Sequence, residues 1–260
     1  MNLFDLYHKK AIVAGGTGDL GRAMVAGLLD AGAEVVILGR SPSVNEVVAQ
    51  LKLEGRLLVW GVEADLADRH ALQTGFDDAL RLLGGRLDIL VNAQGIQRRI
   101  KAEEFPLETW DEIIELNLTS VFELCQLAGR VMLAQGNGKI INIASLNSFT
   151  GGITIPAYAS SKGGMALLTK ALSNEWSGRG VNVNAIAPGF FLTRQNRFLL
   201  TDEQTGGLTA RRQSIIAHTP MARFGQPEDL LGAVLWLLSP ASAFVTGVVL
   251  PVDGGFSAYC

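Results

Sequence analysis

Short apolar runs alternate along this chain with longer stretches in which apolar residues recur at a helical period. "AIVAG" precedes a helical stretch from about Asp19 to Ala31, and "EVVILG" precedes "VNEVVAQLKLEG". "RLLVWGVEAD" leads to a helix from about Asp68 to Leu83, and "LDILVNA" to a long one from about Trp110 to Ala134. "GKIINIAS" is followed by a helix from about Ala157 to Ser177, then "VNVNAIAPG", "EDLLGAVLWLLS" and "GVVLPVDGG". Strands apolar on both faces, separated by helices, predict a parallel sheet covered on both sides. The expected fold class is α/β, a doubly wound parallel sheet, with residues 1–260 forming a single domain. No internal repeat, low-complexity tract or linker interrupts it. The polar zone of about 190–223, broken by "TGG", reads as a lid insert.

Composition narrows the function classes. At 260 residues and 48% hydrophobic, the chain can bury one large core. A net charge of −3 without a long basic run argues against nucleic acid and against anionic membranes as partners. Cys125 and Cys260 make no disulfide framework and read as free thiols of a reducing, cytoplasmic compartment. "MNLFDLYHKK" lacks the apolar core of a signal peptide, and no stretch is long enough to span a bilayer. His8, His70 and His218 are scattered, so no metal site is expected.

In open α/β sheets ligands bind beyond the carboxyl ends of the strands. Glycine or polar residues follow six of the predicted strands: "GGTGDLG", then Gly39 and Arg40, then Asp65, then Asn92 in "NAQG", then Ser145, then "PGFFLT" from Pro188. "GGTGDLG" holds a GxGxxG from Gly16 through Gly18 to Gly21, after a strand and at the start of a helix. Glycines let the backbone approach a pyrophosphate, and a helix N-terminus offers free N–H groups. A plain tight turn is the bland alternative. In "YASSK", Tyr158 and Lys162 stand one helical turn apart on a shared face, with an accidental surface pair as the alternative.

These motifs, with Asp65-Leu66 and Asn117, resemble the short-chain dehydrogenase/reductase family over essentially the whole length, which implies a Rossmann-type sheet. The resemblance places a catalytic tetrad on Asn117, Ser145, Tyr158 and Lys162. It implies cofactor contacts at Gly15, Thr17, Gly18, Asp19, Leu20 and Gly21, and at Arg40, Asp65 and Leu66. Further contacts are implied at Asn92, Ala93, Gly95, Tyr158, Lys162, Pro188, Gly189, Phe191 and Thr193. Two departures stand out. Ala14 and Asp19 replace the threonine and middle glycine of the usual TGxxxGxG, and "NAQG" replaces NNAG. The segments "GIQRR", "GKIINIASLNSF" and "HTPMARFGQPEDLLGAVLWLL" resemble sugar-acid oxidoreductases acting on gluconate, deoxygluconate or mannonate. The resemblance also implies a homotetramer built partly from the helix holding Trp236, which, with Leu230, Val234 and Leu237, reads as core or interface.

The chemistry this implies is interconversion of a secondary alcohol and a ketone. Tyr158 would be the general acid/base, its phenol pKa of roughly 10 lowered by the nearby Lys162 charge. Lys162 would also hold the nicotinamide ribose. Ser145 would steady the substrate oxygen. Asn117 would hold a kinked helix backbone and a water. Asn117 could instead only satisfy backbone groups, Ser145 could be a turn residue, and Asp65 could be a helix N-cap. A sugar acid needs cationic and amide partners, and Asn147, Arg99, Arg194 and Gln195 are the substrate candidates. Arg98 borders the same end, while Arg211 and Arg212 read as solvated. A reductase of acyl-carrier-linked 3-oxo esters is the second enzyme reading, and would need a basic docking surface that only Arg98, Arg99 and Lys101 could supply. A non-catalytic dinucleotide sensor would have no use for Tyr158 or Lys162. Gly39 removes the acidic residue expected of an NAD enzyme, and Arg40 suits a 2′-phosphate, so NADP is favoured over NAD.

Overall fold

The computed structural model describes residues 3–40, 43–193 and 209–258. A seven-stranded parallel sheet runs in the order β3-β2-β1-β4-β5-β6-β7. Its strands are β1 Lys10–Ala14, β2 Glu34–Gly39, β3 Val59–Glu63, β4 Ile89–Asn92, β5 Gly138–Ile143, β6 Val181–Pro188 and β7 Val249–Val252. Alternate residues of each inner strand feed opposite cores. Ile12, Ala14, Val36 and Leu38 pack with one helix layer, and Ala11, Val13, Val35 and Ile37 with the other. This two-sided burial is why the strands read as unbroken apolar runs.

The first layer comprises α3 (Arg69–Leu82), α5 (Ser120–Gln135) and α6 (Pro156–Trp176). The second comprises α1 (Asp19–Asp30), α2 (Ser43–Leu53) and α8 (Leu231–Leu238). Leu230, Val234 and Leu237 are buried in that layer, and Trp236 is half-buried against it. No helix of the described residues is long and apolar enough to cross a membrane.

The helix expected over Trp110–Ala134 is broken. Here α4 (Leu107–Ile114) passes into a π-helical turn, Glu115–Thr119, before α5 begins. The extra residue in the turn shifts the helical phase and carries Asn117 inward. Of the insert expected near 190–223, residues 194–208 lie outside the described ones. The part after them holds α7, Ala210–His218. Cys260 is also outside the described residues, and Cys125 is buried in α5.

Candidate active site

The strand order reverses at β1, which pairs with β2 on one side and β4 on the other. Loops leaving β1 and β4 part there and open a crevice. The two loops touch at Gly15, whose φ is +75° and whose Cβ, if present, would lie 2.5 Å from the Gln94 backbone nitrogen. Gly21 is equally constrained, since a Cβ there would meet the Gly15 carbonyl oxygen at 2.2 Å. Gly18 is not crowded in this way, its nearest neighbour being 3.7 Å distant. It caps α1 without a side-chain bond, which leaves first-turn N–H groups for a ligand. These features fit a dinucleotide pyrophosphate. At the end of β2, a Cβ on Gly39 would meet Val44 at 3.6 Å and Thr17 at 4.0 Å, so there is open room beside the turn. Arg40 next to it is exposed. The Glu63 carboxylate, in register with Gly39, is bonded by the Asn45 amide.

One cleft of about 520 Å³ runs from this turn across the strand ends. Gly18, Asp19, Leu20 and Gly21 form one end, with Ala93 and Gly95 beside them. Ser145, Asn147, Tyr158 and Lys162 line the middle. Pro188, Gly189, Phe191 and Thr193 close one wall, and Arg99 stands at the other end. Among expected cofactor residues, Gly15, Thr17, Arg40, Asp65 and Leu66 lie off this wall. Asp65 is exposed, its carboxylate accepting from the Ala67 N–H at 3.0 Å. It is not the cap of α3, because Asp68 holds that place and accepts from the Ala71 N–H. Leu66 is core. The Asn92 side chain turns away from the cleft, its amide donating to Asn142 Oδ1 at 2.9 Å, and the Asn142 amide to Thr169 Oγ1 at 3.0 Å. Arg194 and Gln195 lie outside the described residues.

Tyr158 and Lys162 sit on α6, which starts with Pro156 in its first turn. Lys162 Nζ donates to the Ile143 carbonyl at 2.6 Å and lies 5.8 Å from the Tyr158 ring centre. The lysine is 4% exposed, and burial pulls its pKa down to about 8. The expected fall in the Tyr158 pKa is not found. Burial raises it, and a hydrogen bond with the Ser145 side chain offsets this in part. The cause is the same low-dielectric floor that discourages the lysine charge. Ser145 also accepts from the Asn147 N–H at 3.2 Å.

Asn117 is fully buried and its amide is used from both ends: Oδ1 accepts from the Ile96 N–H at 2.8 Å, and Nδ2 donates to the Ile96 carbonyl at 2.9 Å. It thus clamps the β4 loop to the π-helical turn. Two supporting roles could not be assigned from the motifs. Ser148 Oγ donates to the Lys162 carbonyl at 2.7 Å and accepts from the Ser145 N–H at 3.4 Å, tying the β5 loop to α6. Gln94 Nε2 donates to Ser120 Oγ at 3.2 Å, and that hydroxyl donates to the Leu116 carbonyl at 2.7 Å. Arg211, expected to be solvated, is exposed, and its place is on the cleft wall.

A family profile described as enoyl-(acyl carrier protein) reductase matches residues 16–257. The chain is 43% identical to a 2-dehydro-3-deoxy-D-gluconate 5-dehydrogenase of Bacillus subtilis, over 97% of this chain and 96% of that protein. It is 37% identical to a gluconate 5-dehydrogenase of Gluconobacter oxydans, covering 98% and 97% respectively. Its structure is similar to that of a gluconate 5-dehydrogenase from Burkholderia cenocepacia in complex with NADP and tartrate. That match has a TM-score of 0.91 at 34% identity and covers 100% of this chain and 99% of the other.

Proposed function

Because the chain belongs to the short-chain dehydrogenase/reductase family, we propose that it interconverts a secondary alcohol and a ketone on a sugar acid of the gluconate or deoxygluconate type. The observation that carries this reading is one cleft with a glycine-rich turn at one end, Tyr158, Ser145 and Lys162 on its floor, and arginine at the other end. We read residues 1–260 as one dinucleotide-binding domain, working as a cytoplasmic homotetramer.

A nicotinamide dinucleotide bound along the glycine-rich turn would supply or accept the hydride. Gly15, Gly18 and the first turn of α1 would receive its phosphates, with Thr17, Asp19, Leu20 and Gly21 around them. Asp65 and Leu66 would stand at the adenine, and Ala93, Gly95, Pro188, Gly189, Phe191 and Thr193 along its length. The open space at Gly39 and the neighbouring Arg40 favour NADP over NAD.

Tyr158 Oη gives its proton to the forming alkoxide in reduction and takes it back in oxidation. A phenol whose pKa is raised stays protonated at neutral pH, which suits the acid role. Ser145 Oγ holds the substrate oxygen next to that phenol. Lys162, fixed on the Ile143 carbonyl, carries the positive charge of the floor. Asn117 keeps Ile96 and the π-helical turn in place, so the wall facing Lys162 is rigid. Asn147 and Arg99, with Arg194 and Gln195, would read the hydroxyls and carboxylate of the acid.

The test is turnover of a panel of sugar acids and their neutral polyols with NADP and with NAD, followed by reduced-nicotinamide absorbance. The expected result is turnover of at least one sugar acid. Activity confined to acyl thioesters or neutral alcohols would overturn the reading.

A further inference from the structure

The substrate end of the cleft carries two guanidinium groups, from opposite directions in the chain. Arg99 comes from the loop after β4, where the Ile100 N–H donates to the Thr154 carbonyl at 2.9 Å and Arg99 Nη1 to the Ile153 carbonyl at 3.4 Å. Arg211 comes from the first turn of α7, whose cap Thr209 accepts from the Arg212 N–H at 3.2 Å. Both arginines line the cleft that holds Tyr158 and Ser145.

Several arginines elsewhere are neutralised, and Arg40, Arg130, Arg179 and Arg212, which have no carboxylate partner among the described residues, lie off the cleft. Arg56 bonds Asp30, Arg69 bonds Glu115, Arg86 bonds Asp88 and Arg223 bonds Asp229. Arg98, beside Arg99, reaches Glu112 at 3.4 Å. Among the described residues, neither Arg99 nor Arg211 has a carboxylate partner. The only acidic residue on the cleft wall, among those described, is Asp19, at the glycine-rich turn. The two cations also oppose each other: partial burial, then the Arg211 charge, hold the Arg99 pKa below its ordinary value. Arg211 stands in the first turn of α7, at the positive end of the helix dipole, which favours an anion nearby. Two like charges left facing one space, with no counter-ion among the described residues, form a site for an anion.

We infer that Arg211 joins Arg99 in a two-guanidinium subsite for the substrate carboxylate, and that Arg211 restricts the enzyme to acids. This rests on the sugar-acid reading and adds to it the residue that reads the charge. Planar guanidinium groups can each offer paired N–H donors to one carboxylate, which a lysine cannot. Removing either half leaves the other able to bind the acid more weakly.

The experiment uses the protein loaded with its preferred reduced cofactor, on which an alcohol substrate cannot react. Binding of the best acid of the panel and of its primary amide (D-gluconate and D-gluconamide first) is measured by calorimetry. The wild type should bind the acid at least tenfold more tightly than the amide. Arg211→Ala should weaken the acid at least tenfold and change the amide less than twofold. Arg211→Lys should recover part of the loss, and Arg98→Ala should change neither ligand. Unaltered cofactor affinity and melting temperature in the Arg211 variants would show that the fold is intact. If the wild type prefers the acid but Arg211→Ala leaves that preference unchanged, or weakens acid and amide alike, the subsite is wrong and the sugar-acid reading stands. If the wild type binds acid and amide equally, or no acid of the panel, both fall together.

Discussion

Lys162→Met should stabilise the protein without cofactor while disabling the enzyme. Lys162 is 4% exposed and bonds a carbonyl rather than a carboxylate. Its pKa falls from 10.5 to about 8 through burial. That gap, at about 1.4 kcal/mol per pH unit, means the charged form costs the fold about 3 kcal/mol at neutral pH. Between the two values the unfolded chain keeps a proton that the folded one loses, so this cost is complete below pH about 8 and is relieved as the pH rises towards 10.5. Methionine removes the cost and gives up the bond from the charged ammonium to Ile143, worth about 2 kcal/mol. The net gain of about 1 kcal/mol at pH 7 corresponds to a rise of about 3 °C in Tm for a chain of this length. By pH about 9 roughly 1 kcal/mol of the advantage should be gone. Lys139, whose pKa is also about 8, is present in both proteins and cancels. The assay is thermal unfolding of both proteins at the two pH values, with and without NADP. Saturating cofactor should raise the wild-type Tm much more than the variant's. A variant that melts below the wild type at pH 7, or by the same margin at both pH values, would refute the reasoning.

Tyr158→Phe should leave cofactor affinity nearly intact and reduce turnover by about 10²–10⁴-fold, the usual worth of a positioned proton donor; a tenth of wild-type turnover remaining would contradict the assignment. Oxidation needs the phenolate, whose pKa is raised here, so kcat for oxidation should climb steadily towards alkaline pH while reduction does not; an oxidation rate flat from neutral to alkaline pH, with hydride transfer shown to be limiting, would count against Tyr158 as the base. Gly39→Asp with Arg40→Leu should move kcat/KM towards NAD, since a Cβ at position 39 meets nothing nearer than 3.6 Å and the new carboxylate would repel a 2′-phosphate; an unchanged cofactor ratio would remove Arg40 as selector.

The sheet was legible because every inner strand is buried on both faces, and only continuous apolar runs satisfy that. Gly15 and Gly21 were legible as parts of a turn, although the sequence does not say which glycines are sterically required and which, like Gly18, are open. The resemblance placed a kink at Asn117, but the form it takes was not legible, since nothing in the residue types of Glu115–Thr119 marks a π-helical turn. The orientation of Asn92 could have been read from strand alternation, since it shares a face with Leu90, which packs in the core beneath α5 and α6. The direction of the Tyr158 pKa depends on how deeply helix α6 seats the phenol, which spacing to Lys162 does not encode. Arg211 gave no signal beyond its charge, because its place on the cleft wall comes from a helix inside the polar insert, whose packing against the sheet the local sequence does not encode.

The strand order bears on how the chain is made. β1 is laid down first, and β2 and β3 extend the sheet outward from it on one side. The chain then crosses to the other side of β1, and β4, β5, β6 and β7 join outward in sequence order. A chain emerging amino end first from the ribosome therefore offers every strand after β1 a neighbour that already exists. The glycine-rich turn, the β4 loop and the tyrosine helix are added in that same order. The last partner that the crevice walls need, the segment after β6, arrives when the floor beneath it is already closed.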